Sequence, residues 1–168
     1  MSNNLNQIGA MKQEVLQAIL SDDEIMRLIL NRPDPTLPAL TARYVQVVPW
    51  KKIPDTQTNA RVYVTFDIVV TEFVNCAVKN YNLYLWIMAH DSLMTIDSTV
   101  GAALGIQDRG VRTDILADKI DYLLNGSTEM GFGKLQIKSS GIFDPADGYY
   151  GRNLVYEGIC RNRYGEKL

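Results

Sequence analysis

Arg61–Phe73 reads RVYVTFDIVVTEF, and its alternation decides the fold class. Val62, Val64, Phe66, Ile68 and Val70 alternate with Tyr63, Thr65, Asp67, Val69 and Thr71. A period of two puts each set on its own face of a β-strand. The stretch outruns the usual strand of about 5–6 residues. Tyr81–Ala89 repeats the pattern, with Tyr81, Leu83, Leu85 and Ile87 on one face and Asn82, Tyr84, Trp86 and Met88 on the other. That second face is also partly apolar, so both sides are expected to be covered. Asn75–Asn80 between the two runs has hairpin length.

Upstream, Leu5, Ile8, Met11, Val15 and Ile19 recur at helical spacing through Leu20. A second, short helix is expected from Ser21, where Ser21 and Glu24 match the S-x-x-E capping box and Asp22 and Asp23 favour the positive end of the helix dipole. Pro33, Pro35 and Pro38 make Asn31–Ala39 an extended connector. Tyr44–Pro49 is a short strand candidate, closed by Trp50–Asp55, and Thr56–Ala60 is a polar loop.

Downstream, Asp91–Gly110 is punctuated by Gly101, Gly105 and Gly110 and reads mainly as loop. Arg112–Leu124 is a helix with Leu116, Ile120, Leu123 and Leu124 inward, and Gly126 is its natural terminator. Lys134–Ser140 is a strand, Ile142–Gly151 a turn-rich loop, and Arg152–Arg163 the last strand. The order α-α-β-β-β-α-β-β predicts an α+β fold: a mostly antiparallel β-sheet with two N-terminal helices and one central helix packed on it. One domain over 1–168 is expected, with N-terminal helices in 5–30, sheet and helix in 44–163 and a frayed tail at 164–168.

Composition narrows the function classes. Apolar residues make up 46% and charged residues 21%, enough for a core and too few charges for a disordered chain. A net charge of −2 gives no broad pull toward nucleic acid or an anionic membrane. Cys76 and Cys160 have no metal-type spacing and read as reduced thiols in the core, with a disulfide as the minor alternative. Met1–Ala10 is polar, with neither basic nor apolar signal region, which predicts folding in a cytoplasm. No apolar run approaches the ~20 residues that span a bilayer.

Catalytic patterns are scarce. His90 is the single histidine, and a general base oriented by Asp91 is the sharp reading. Adjacent strand residues point to opposite faces, however, which places Asp91 poorly for that role. There is no nucleophile elbow and no phosphate-cradling loop. Gly131-Phe132-Gly133 lies between helix and strand, the reverse of the dinucleotide order, and reads as a tight turn. Asp144 and Asp147 lack the alternating acids of a calcium loop. No catalytic residue, cofactor or metal is expected.

Three stretches point instead to protein contacts. Asp114, Asp118 and Asp121 lie along one face of the central helix. They read as a solvated face or as a docking stripe for arginines of a neighbouring subunit, drawn from Arg109, Arg112, Arg152, Arg161 and Arg163. Asp144–Arg152, DPADGYYGR, offers Tyr149, Tyr150 and Arg152 in a Gly/Pro-rich loop, and Tyr and Arg are enriched at contact hot spots. Its alternative is a packed surface turn. Trp50, Lys51 and Lys52 form a small basic-aromatic spot, which reads as a contact for DNA phosphate in a channel or as a solvated strand end.

Taken together, VPWKKIPDTQ at Val48–Gln57, Ala89-His90-Asp91, GVRTDIL at Gly110–Leu116, IDYLLNG at Ile120–Gly126, GFGKL at Gly131–Leu135 and YYGRNLVY at Tyr149–Tyr156 resemble the tail terminator (neck, head-tail joining) proteins of tailed phages and prophages of Gram-positive bacteria. The likeness runs over most of the chain, and Ser92–Gly110 is longer than that family suggests. The resemblance implies a virion protein that closes the head-proximal end of a phage or phage-like tail, contractile tails included. It implies a homo-oligomeric ring, often of six subunits, with tail tube, sheath and neck or connector proteins as partners, non-specific DNA in the lumen and no membrane. Assembly in the bacterial host cytoplasm follows. A head-completion or connector protein of the same neck is the alternative. A small enzyme using His90 in a pocket lined by Trp86 and Tyr84, or a monomeric binding module, are the readings from other classes.

Overall fold

The alternation around Arg61 becomes two long paired strands in the computed structural model, which describes residues 4–34, 42–52, 60–75 and 78–161. Strand β2 (Val62–Asn75) pairs antiparallel with β3 (Val78–His90), Val62 opposite Ala89. Strand β7 (Tyr149–Arg161) pairs antiparallel with β3, and β6 (Gln136–Ala146) with β7. The two-residue β1 (Val47–Val48) lies parallel to β2 beside Val64 and Thr65. The sheet order is β1-β2-β3-β7-β6, so the fold is α+β with a mostly antiparallel sheet. Cys76, Arg163 and the chain from Tyr164 lie outside the described residues, as do the side chain of Cys160 and most of the proline connector.

Helices α1 (Asn4–Ser21), α2 (Asp23–Leu30) and α4 (Arg112–Leu124) cover one face of this sheet. Val15, Leu16 and Ile19 of α1, Ile25, Leu28 and Ile29 of α2, and Leu116, Ile120 and Leu124 of α4 are buried against Val64, Phe66, Leu83, Leu85, Leu154 and Tyr156. Each such side chain contributes roughly 1.5–3 kcal/mol of apolar burial. Gly126 adopts the left-handed conformation just beyond α4, with φ +82°.

Several boundaries differ from expectation. The cap of α2 is Asp22, whose carboxylate accepts the amide of Ile25 at 2.9 Å, and Ser21 closes α1. Tyr44 takes a left-handed φ of 62°, so only Val47–Val48 of the Tyr44–Pro49 stretch is strand. The 91–110 stretch is ordered, not mainly loop. It holds a 3-10 turn (Asp91–Leu93), β4 (Thr95–Ile96), α3 (Ser98–Leu104) and β5 (Gly110–Val111), which pairs with β4. Asp97 caps α3 through the amides of Thr99 and Val100, both at 2.8 Å.

The expected loop at Ile142–Gly151 is a hairpin. β6 runs on to Ala146 and β7 begins at Tyr149, so Asp147-Gly148 alone makes the turn. That dipeptide suits two-residue hairpin turns. Phe132, fully buried, plugs the far end of the sheet against Tyr81, with ring centroids 6.1 Å apart. Gly133 beside it has φ +70°, and a Cβ there would collide with the carbonyl of Ile159. The Gly131-Phe132-Gly133 turn is therefore a packing device.

Candidate protein interface

The three aspartates of α4 share a face but not a fate. Asp114 accepts from Arg152 Nε of β7 at 2.6 Å. Asp121 accepts from the Tyr156 hydroxyl at 3.0 Å and from the Asn125 amide at 3.4 Å. Burial, then the nearby Asp121 charge, pushes the Tyr156 hydroxyl far above its usual pKa, so it stays a donor. Asp118 is exposed and has no partner among the described residues. Two of the three carboxylates are thus answered inside the chain. The Asp114–Arg152 pair is partly exposed, and such pairs contribute about 0–1 kcal/mol.

Arg112 is not a surface cation. It is 1% exposed, and its guanidinium donates to the carbonyls of Leu93 (2.6 Å) and Leu28 (2.6 Å) and to Asn31 Oδ1 (2.8 Å). Burial pulls its pKa down to about 10, still protonated at neutral pH. Leu28 lies in the last turn of α2, where carbonyls lack helical partners and attract cations.

Tyr149, Tyr150 and Arg152 sit on a strand, so alternation divides them. Tyr149, opposite His90, faces away from the helices, whereas Tyr150 and Arg152, opposite Ala89 and Ile87, face them. Tyr149 packs with Tyr63 and Met88 into a second small cluster flanked by Trp86 and Phe143. Burial, followed by the neighbouring Tyr63, raises its hydroxyl pKa. Lys51 lies over the Trp86 ring at 5.4 Å and Lys52 over Tyr63 at 5.9 Å. Trp50 turns aside to stack on Tyr44, with centroids 6.1 Å apart and planes at 12°. The structure thus places Tyr149 in the cluster whose Trp86 and Tyr63 rings the two lysines overlie, and Arg152 against Asp114 on the other face of the sheet.

His90 is engaged locally. Its Nδ1 lies 2.8 Å from Ser92 Oγ and accepts the Ser92 amide at 3.2 Å, and its ring meets Tyr149 edge-on. No carboxylate among the described residues hydrogen-bonds it, and Tyr84 and Trp86, earlier on the same strand, stack on each other. Among the described residues no group of three or more His, Cys, Asp or Glu is placed to hold a metal. One groove of about 790 Å³ has paired groups in its walls: Lys138 with Glu157 at 3.1 Å and Asn80 with Glu72 at 2.9 Å. No described helix is long and apolar enough to cross a membrane.

Sequence reasoning passed over the sheet edges. Among the described residues, Val69, Phe73 and Val74 of β2 and Ile137, Ile142 and Ile159 of β6 and β7 are large, apolar and exposed. The signal was weak but present. Apolar side chains occur on both phases of these strands, which a strand with one wet face does not need.

Comparison with known proteins adds context to this geometry. The YomW family model matches residues 13–158. No curated protein matches. A solved structure described as "Virion of native gene transfer agent (GTA) particle" holds a similar chain, at 13% identity and a TM-score of 0.50, with 96% of this chain and 100% of that one covered. That likeness is one of fold.

Proposed function

The chain belongs to the YomW family, and from that premise we propose that it is a structural protein of a phage-like virion, a neck ring closing the head-proximal end of the tail. The observation that carries this is the end-to-end likeness to a chain of a gene transfer agent virion: nearly the whole of each chain is covered, so a complete architecture is shared. In this reading residues 1–168 act as one domain and copies form a closed ring. Tail tube, sheath and connector proteins are its neighbours, in a particle assembled in the host cytoplasm, and DNA passes non-specifically through the lumen.

The candidate contact residues are Asp118, the exposed remainder of the acidic helix face, Tyr150 and Arg152 at its margin, Trp50 stacked on Tyr44, and Lys51 and Lys52 on the opposite side of the sheet. Rings require one patch to meet a different patch on the next copy, and two unlike faces satisfy that condition. A head-completion or connector protein of the same neck is the second reading, because the matched particle's description names the virion and no part of it. Electron micrographs of the purified protein, alone and with tail tubes, test the proposal. Rings that cap tube ends support a terminator, and rings that bind only connectors support the second reading. Monomers at every concentration would sink both.

A further inference from the structure

We propose that the β-sheet continues from copy to copy, the outer edge of β6 in one subunit pairing antiparallel with the free edge of β2 in the next. The inference rests on the ring reading and names its contact. Strand β6 has a neighbour on one side only. Strand β2 is flanked by β1 at Val64 and Thr65 alone, and no described strand lies beside it from Phe66 to Asn75. Open edges present unpaired amides and carbonyls, and proteins that stay monomeric blunt them with charges, prolines, bulges or covers.

The blunting here is local. Register shifts interrupt β6 between Ile137 and Ser139 and between Phe143 and Ala146, and β2 between Val70 and Glu72 and between Phe73 and Asn75. Two stretches are regular, Ser139–Phe143 between the shifts of β6 and Phe66–Val70 ahead of those of β2. The first contains no charge and no proline. The second contains one charge, Asp67, held by Lys12 of its own chain at 2.7 Å, and its carboxylate caps the Ile68 amide at 2.8 Å, a bond that the incoming strand replaces.

Direction fits as well. Successive antiparallel steps from β2 through β3 and β7 leave β6 running opposite to β2. A second copy in the same orientation therefore brings its β2 antiparallel to β6. The ladders set Phe66, Leu85, Leu154 and Ser140 at one level. Aligning the two regular stretches needs a slide of about three residues, the kind of stagger a closed sheet requires.

The side chains agree. Five of the eleven exposed large hydrophobics among the described residues sit on these two edge strands, Val69, Phe73 and Val74 on β2 and Ile137 and Ile142 on β6. Residues 134–143 carry Lys134 and Lys138 and no acid, and 66–75 carry Asp67 and Glu72 and no base. Asp67, Lys138 and Glu72 each have a partner within the chain, Glu72 accepting from the Asn80 side chain at 2.9 Å, so Lys134 is the charge left unpaired for the contact. Both complementary halves lie on one chain, which makes a second copy the occupant.

The test uses two full-length variants, one with Ile137→Lys and Ile142→Lys, the other with Val69→Lys and Phe73→Lys. All four side chains are exposed, and circular dichroism checks that each variant is folded. Should a double variant not fold, Ile142→Lys and Phe73→Lys alone, at 65% and 69% exposure, read the same contact. Sedimentation is expected to give a closed oligomer for the native chain and monomers for each variant. An equimolar mixture should give dimers and nothing larger, because one intact edge of each kind remains per pair. Native-sized oligomers from both variants would overturn the edge contact and leave the ring reading standing. One variant dimerising alone, or a mixture that stays monomeric, would also overturn it. A native chain that never associates would remove the ring reading and the edge contact together.

Discussion

The guanidinium of Arg112, at the start of α4, donates to the main-chain oxygen of Leu28, near the end of α2, at 2.6 Å. The same group holds Leu93 and Asn31, so one buried cation joins two helices and the turn after β3. No carboxylate takes part.

Arg112→Met should therefore cost roughly 2–4 kcal/mol, since apolar volume is kept while buried carbonyls lose their donor. Arg112→Lys should recover only part of this, because an ammonium lacks the planar fork. Urea unfolding measures both. The group is charged in folded and unfolded chains below pH 10, so the loss should be the same at pH 5 and pH 8. Above about 10 the folded chain sheds this proton before the unfolded one, so stability from this group rises with pH there. A loss below about 1 kcal/mol would deny the clamp.

Tyr156→Phe should cost about 0.5–1.5 kcal/mol by removing the hydrogen bond to Asp121. Asp121→Asn, which keeps an acceptor oxygen, should cost less. The opposite ranking in thermal melts would mean that Asp121 works mainly through its charge.

Asp118→Arg should leave stability within about 0.5 kcal/mol, because the carboxylate is exposed and unpaired among the described residues. It should weaken self-association read by light scattering. Unchanged assembly would withdraw the α4 face from the interface. Ile120→Ala is the contrast: Ile120 is fully buried, and its truncation should cost roughly 2–5 kcal/mol.

Two glycines should respond with opposite sign. Gly9 lies within α1, and a methyl group added there would meet nothing within 4 Å, so Gly9→Ala should add roughly 0.5–1 kcal/mol of stability. Gly133→Ala should cost more than about 2 kcal/mol, combining a left-handed backbone with the Ile159 collision. Differential scanning calorimetry of the pair checks both. Equal shifts would mean that the Gly131–Gly133 turn relaxes freely.

Local pattern made the elements legible, and long-range pairing hid their arrangement. Arg112–Leu124 is helical over the expected span because Leu116, Ile120 and Leu124 repeat at the right period and Asn125-Gly126 stops them. The cap and terminator of α3, Asp97 and Gly105, were equally visible, but the surrounding glycines masked seven residues of helix. Pro145 and the glycines around it hid the Asp147-Gly148 turn in the same way. Arg112 could not be read at all. Its charge suggested a surface partner, while its acceptors on Leu28 and Asn31 come from 84 and 81 residues away. Tyr149 and Tyr150 show a related limit: residue type favoured contact, but only the strand register reveals that they point to opposite sides.

Each of the two hairpins, β2 with β3 and β6 with β7, closes through a short connection. Joining them through β3 and β7 is a far longer search, about sixty residues even for the nearest pair, His90 and Tyr149. The hairpins therefore zip early and dock late. Until they dock, a hairpin from another chain fits the vacant slot as well as the chain's own. Refolding yield should consequently fall as chain concentration rises, however stable the finished sheet.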